Sequence, residues 1–276
     1  MTRDRFRQGA NVLFAGTQIA AGYFAAVTGM GESIADRSAA ATTPVTPAGY
    51  AFAIWGVIFA GCLAYAVYQA LPRHREDRFL RRVGWFTAAA FLGNTLWGVE
   101  CQLYGFTWLT VVIIVGTLAA SGLACRELAP VRRALTSTEY WCVFVPVNLL
   151  AGWLSVAAFA NIAAACQAHG LGSLGLSATN FAIVLIAAAG LFGVAVTVRT
   201  QGRWYAAAVV WGLIGIMVAN QAADNPVVVL TAGGVAVVVL AGLYAGQFLE
   251  WTHAGQRSGR RTVVAYSSPV TSPNRP

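Results

Sequence analysis

Aromatic and amide side chains recur at helical spacing in this chain. Asn94 and Trp97 are three residues apart, Trp153, Ala157 and Asn161 follow at i, i+4 and i+8, and Trp55 and Phe59 are four apart. If their segments are helical, each set falls on one helix face. Indole and phenyl rings offer stacking surface, and carboxamides offer directional donors and acceptors. Three such faces, two of them carrying an amide, could line one pocket. A plainer reading competes: a buried amide needs a partner, and a neighbouring helix can supply it. Periodicity alone favours the plainer reading.

The elements that must carry these faces are apolar runs of about 20 residues, the length needed to cross a hydrocarbon core of about 30 Å. They lie at 10–30, 48–70, 83–103, 107–125, 140–166, 178–198, 204–221 and 226–249, joined by short polar connectors. The expected fold is all-α, a polytopic membrane protein of eight spans. Charge supports the count independently of hydropathy. All 18 basic side chains are Arg, and with eight spans every one except Arg37 falls on the same side of the membrane. The positive-inside rule then places both termini in the cytoplasm. Trp204 is expected near the inner interface, as a headgroup anchor.

Composition excludes several classes. With 58% hydrophobic and 10% charged residues and a mean hydropathy of +0.63, a soluble domain would lack polar surface to cover itself. The formal charge of +8 is spread over inner loops, where anionic lipid headgroups are the ordinary partner, so no nucleic acid is expected. The basic start and apolar run at 1–30 resemble a signal peptide, but the run is longer than a signal core, and Gln18 and the glycines suit a retained, packed helix. The stretch 251–276 is rich in Ser, Thr, Pro, Gly and Arg and reads as a disordered cytoplasmic tail. Cys62, Cys101, Cys125, Cys142 and Cys166 form no CxxC pair, so no metal site is expected. A Cys101–Cys166 disulfide is conceivable, with apolar packing the plainer reading. The chain contains no Lys, which excludes a retinal Schiff base. His74, His169 and His253 fall in loops, which leaves no intramembrane axial ligand for haem. No cofactor, catalytic residue or nucleophile–base pair is indicated, and the chain is not expected to be an enzyme.

The segment from Thr46 to Phe59, with Pro47, Tyr50, Phe52 and Trp55, resembles the second helix of the translocator protein family, also called tryptophan-rich sensory protein. Asn94-Thr95-Leu96-Trp97 is similar to that family's Asn-x-x-Trp, and Trp153 to Asn161 resembles its Trp-x-x-x-Ala-x-x-x-Asn fifth-helix signature. All three occur in the matching spans and order, and 9 Trp in 276 residues fit the name. There are departures. Residues 31–45 lack the family's Trp-Tyr pair, Cys101 and Gln102 replace aromatic residues, and Pro146 stands further before Trp153. The chain therefore reads as a divergent, extended member.

The resemblance implies a five-helix translocator-like bundle over 10–166, after a cytoplasmic N-terminus at 1–9, with three additional transmembrane helices over 167–250 that have no counterpart in the five-helix family and contribute little to the pocket. It implies an integral membrane ligand-binding or sensory protein, in a bacterial inner membrane. The ligand would be a planar apolar molecule, a tetrapyrrole such as porphyrin or haem, or a sterol-like lipid. Trp55, Phe59, Asn94, Trp97, Trp153, Ala157 and Asn161 would line its site, and loop 31–47 is in doubt as a cap. Porphyrin breakdown, linked to some family members, is an enzymatic possibility. A secondary transporter of a small solute is the competing class, suggested by eight spans, Glu100 and the polar turn 220–226. Gly116, Ala119 and Ala120 could pack a homodimer, although such faces more often pack helices within one chain.

Overall fold

The computed structural model describes residues 2–266, with side chains for 3–246. Its helices are α1 (Thr2–Gly22), α2 (Phe24–Thr28), α3 (Ile34–Ala40), α4 (Ile54–Ala70), α5 (Arg78–Tyr104), α6 (Trp108–Leu128), α7 (Ser137–Glu139), α8 (Val145–Ala168), α9 (Ala178–Thr200), α10 (Arg203–Ala222) and α11 (Pro226–Tyr266). A 3-10 turn over Gly49–Ala53 leads into α4, and a π-helical stretch over Tyr140–Phe144 leads into α8. No strand occurs among the described residues. The fold is the all-α bundle of a polytopic membrane protein, and its eight long helices fall on the eight apolar runs.

Local chemistry sets the boundaries. Asp77 caps α5 by accepting from Phe79 N and Leu80 N, Thr107 caps α6, Ser177 caps α9, and Thr136 with Glu139 forms a reciprocal capping box at α7, satisfying amides that a helix start leaves unpaired. Two boundaries differ from the apolar runs. The first run ends in a break after Gly22 followed by the short α2, and α11 continues to Tyr266, past the point where composition reads as a disordered tail. Residues 267–276 of that tail lie outside the described residues.

Six helical stretches are long and apolar enough to cross a membrane. The other two long helices, α1 and α5, are more polar because they carry the bundle's internal hydrogen bonds. The buried face of α1 bears Arg7, Gln8, Asn11, Ala15, Gln18 and Ala21, while Phe6, Val12 and Leu13 face outward. That is the distribution lipid demands, with polar groups turned inward to find partners. Arg7 Nη1 donates to Leu80 O at 2.9 Å, Asn11 Nδ2 to Gly84 O at 2.7 Å, and Thr87 Oγ1 to Asn11 Oδ1 at 2.7 Å. Gln8 and Gln69 exchange side-chain to backbone bonds between α1 and α4. A Cβ on Gly84 would lie 2.8 Å from Arg7 Cδ, so this glycine makes room for the buried guanidinium.

In the packing, α1 lies on α4 and α5, α5 on α6, and α6 on α8; α9, α10 and α11 pack on one another, and α9 and α10 also pack on α8. Helix α8 is therefore central, with most of its residues buried inside the protein. Gly152 lets α10 approach it, because a side chain there would meet Tyr205 O. Trp204 is half-buried, and its Nε1 donates to Tyr140 OH at 2.9 Å. Gly116 and Ala119 face outward on α6 rather than packing within the chain. All five cysteines are free thiols.

Candidate functional site

The site is built at the helix ends opposite the arginine-rich loops. There a cavity of about 830 Å³ opens between α1, α3, α4 and α5. Its inner end narrows to a recess of about 50 Å³ reaching α6 and α8. The two share Trp55, Asn94, Trp97, Phe52 and Pro47 as walls, and no charged side chain lines either.

Helical spacing places the rings as the sequence suggests. Trp55 and Phe59, one turn apart on α4, stack with centroids 5.0 Å apart, and Trp55 stands edge-on to Trp153 of α8 at 6.2 Å. Phe52, on the 3-10 turn, meets the same indole edge-on at 5.9 Å. Edge and offset contacts of this kind are favoured by the ring quadrupoles. Trp55, Asn94, Trp97, Trp153, Ala157 and Asn161 all line the recess, and Phe59 lines the wider cavity beside Trp55. All seven residues singled out in the sequence thus reach one continuous space.

The amides serve both of the roles weighed for them. Trp97 Nε1 donates to Asn161 Oδ1 at 2.8 Å, Asn161 Nδ2 donates to Thr110 Oγ1 at 3.0 Å, and Asn94 Nδ2 donates to Gln18 Oε1 at 3.1 Å. These bonds tie α5 to α8, α8 to α6, and α5 to α1 in the wall of the cavity. Trp153 Nε1 is buried with no hydrogen-bond partner.

The lid is the part the sequence reading missed. Helix α3, capped by Ser33 accepting from Asp36 N, lies over the cavity and contributes Ile34, Ala35, Ser38 and Ala39 to its lining. The family's aromatic pair is therefore not required for the loop to cover the cavity. Two anchors hold the lid to the end of α5. Glu32 N donates to Gln102 O at 2.9 Å, and Arg37 Nη2 donates to Gln102 O and Leu103 O, each at 3.2 Å. Arg37 is paired with Glu32 at 3.0 Å and puts its positive charge on the carbonyl end of α5, where the helix dipole favours it. The arginine of the 31–47 loop thus fastens the lid. Gln102, which replaces an aromatic residue of the family pattern, accepts from Ala25 N at 2.9 Å and holds α2 against α5. The signal for the lid was Ser33 three residues before Asp36 ahead of a short run of helix formers.

Compared with known proteins, residues 8–245 match the family model described as TSPO-like protein. The chain belongs to the TSPO-like family. No curated protein matches it, and no solved structure does. The TSPO-like match does not stop at the five-helix unit read from the motifs. It continues through α9, α10 and the first half of α11, so the family's own extent reaches into all three further helices.

Proposed function

We propose that this TSPO-like membrane protein binds a planar, largely apolar molecule in the cavity, a tetrapyrrole such as porphyrin or haem or a sterol-like lipid, and senses or carries it without chemical change. The observation that supports this most is the convergence of Trp55 and Trp97 on an uncharged cavity of about 830 Å³, with Trp153 joining them in the adjoining recess. Small-molecule sites typically occupy about 300–1,000 Å³ and are mostly apolar with a few placed polar groups. Indole faces suit a flat ring system, and the unpartnered Trp153 N–H suits an acceptor atom at its edge. An ionised carboxylate enclosed in such a space would lose several kcal/mol of hydration without a cationic partner. The acidic groups of a porphyrin therefore stay at the open mouth, in contact with water or headgroups, while the ring enters.

Titrating the purified protein with protoporphyrin, and separately with a sterol, tests the reading through quenching of intrinsic tryptophan fluorescence or displacement of the porphyrin. Saturable binding of either, competed by the other, is expected. No saturable binding of any planar apolar ligand, together with binding of a small polar solute, would replace it with a solute transporter.

A further inference from the structure

Segment 43–53 leads from the lid into α4 and supplies Thr46, Pro47 and Phe52 to the cavity wall. Its outward-facing groups are held by α10, one of the three helices beyond the motif-bearing unit. Trp211 Nε1 donates to Ala51 O at 2.8 Å, Ala48 N donates to Gly215 O at 2.9 Å, and Asn220 Nδ2 donates to Pro44 O at 2.7 Å. Residues 211 and 215 share a face of α10, Asn220 reaches the segment from further round the helix, and their partners descend in step through 51, 48 and 44. The segment is laid along the helix like an antiparallel strap. Tyr50 adds a ring contact, edge-on to Trp211 at 5.7 Å. Gly215 sets the spacing: a Cβ there would lie 2.7 Å from Ala51 Cβ and 3.0 Å from Pro47 Cβ. Pro47 therefore has α10 behind it and the cavity in front.

We infer that α10 is a positioning element for the ligand cavity, with Gly215 and Asn220 setting how far Pro47 and Phe52 stand into it and so the width of ligand admitted. This rests on the cavity being the binding site proposed above. Bulk at position 215 has nowhere to go but into Ala51 and Pro47, which carries the strap toward the opposite wall on α5. Loss of the Asn220 amide instead frees the strap at its lid end, where Pro44 has no N–H of its own to contribute. The first change narrows the cavity, and the second loosens its wall.

The experiment compares Gly215→Ala, Gly215→Leu and Asn220→Ala with the wild type in the full chain, using protoporphyrin as a wide probe and a two-ring aromatic dye as a narrow one. Gly215→Leu is expected to weaken protoporphyrin binding roughly tenfold or more and the dye less than about threefold, with Gly215→Ala between wild type and leucine. Gly212→Ala is the control for general damage. Its Cβ would press on Val156 of α8 at 3.0 Å, crowding the same helix without touching the strap, so the ratio of the two affinities should not move. Hydrogen exchange over 44–53 in the ligand-free protein is expected to rise in Asn220→Ala and stay at the wild-type level in Gly212→Ala. Equal loss for both probes, the same shift of the ratio from Gly212→Ala, or unchanged exchange in Asn220→Ala would overturn the inference while wild-type binding stands. A wild type that binds neither probe overturns the binding reading, and this inference with it.

Discussion

At the scale of single residues, Trp153 carries two separable contributions. Its ring forms one face of the recess against Trp55 and Phe52, and its Nε1 has no partner in the protein. Trp153→Ala removes both and is expected to weaken porphyrin binding roughly five- to tenfold, since an aromatic contact is worth on the order of 1 kcal/mol beyond burial. Trp153→Phe should restore the part due to stacking and none of the part due to the N–H. Affinity is best read from porphyrin absorbance, because the variant removes a reporting indole. Trp204→Ala, at the opposite end of the bundle and bonded to Tyr140, should lower thermal stability and leave affinity unchanged. Asn161 behaves differently, because its amide joins Trp97 to Thr110. Asn161→Leu strands the Trp97 N–H and takes a donor from Thr110, which keeps its own bond to Thr107 O, and should cost about 0.5–2 kcal/mol of stability, the range found for interhelical hydrogen bonds in membranes. A denaturation midpoint equal to wild type would show that these bonds are not what holds α5 to α8. The helical spacing of Asn94, Trp97 and Asn161 made their shared face legible in the sequence. That Asn161 takes Trp97 as its donor depends on how two helices far apart in the chain cross, and no local pattern records that.

At the scale of elements, the lid and the polar face of α1 work by opposite use of charge and amide groups. Arg37 reaches the carbonyl end of α5 from a loop that is otherwise small and polar. Arg37→Ala removes both bonds and the Glu32 pairing, leaving Glu32 N on Gln102 O as an anchor. Exchange protection over 33–42 should fall, and ligand should enter and leave faster, with the gain in dissociation rate the larger of the two. An unchanged dissociation rate would mean that α3 does not gate the cavity. On α1, by contrast, Asn11, Gln8 and Arg7 meet backbone carbonyls and side chains of α4 and α5 inside the bundle. The polar character of this first apolar run is visible in the sequence, but its direction is not. A helix in lipid turns its polar face toward other helices, and only the assembled bundle shows which face that is.

At the scale of the whole molecule, arginine segregation and the alternating course of eight long helices give a single expected topology. Reporter fusions after residues 45, 105, 172 and 224 should score external, and those after 76, 132 and 201 internal. An external signal after 201 would overturn the span count from α9 onward. The family match through residue 245 and the grip of α10 on the cavity wall describe one bundle of interdependent helices. The expectation that the last three helices contribute little to the pocket came from the family-like motifs, which end at Asn161. Those helices line almost none of the cavity, and yet one of them holds its wall.

The sequence alone determined that the chain is all-α and membrane-embedded, where its long helices lie, and which aromatic and amide residues share a face. Bilayer thickness, helical periodicity and the positive-inside bias act on contiguous residues, so they leave local marks. Tertiary structure decided that the short α3 lies over the cavity, that Gln102 and Arg37 fasten it, that Gly215 stands behind Pro47, and that Asn220 holds Pro44. Those contacts join residues 65 to 176 positions apart through backbone carbonyls and missing side chains. A backbone carbonyl is the same in every residue, and a glycine looks alike whether it faces lipid, as at Gly116, or a packed segment, as at Gly215.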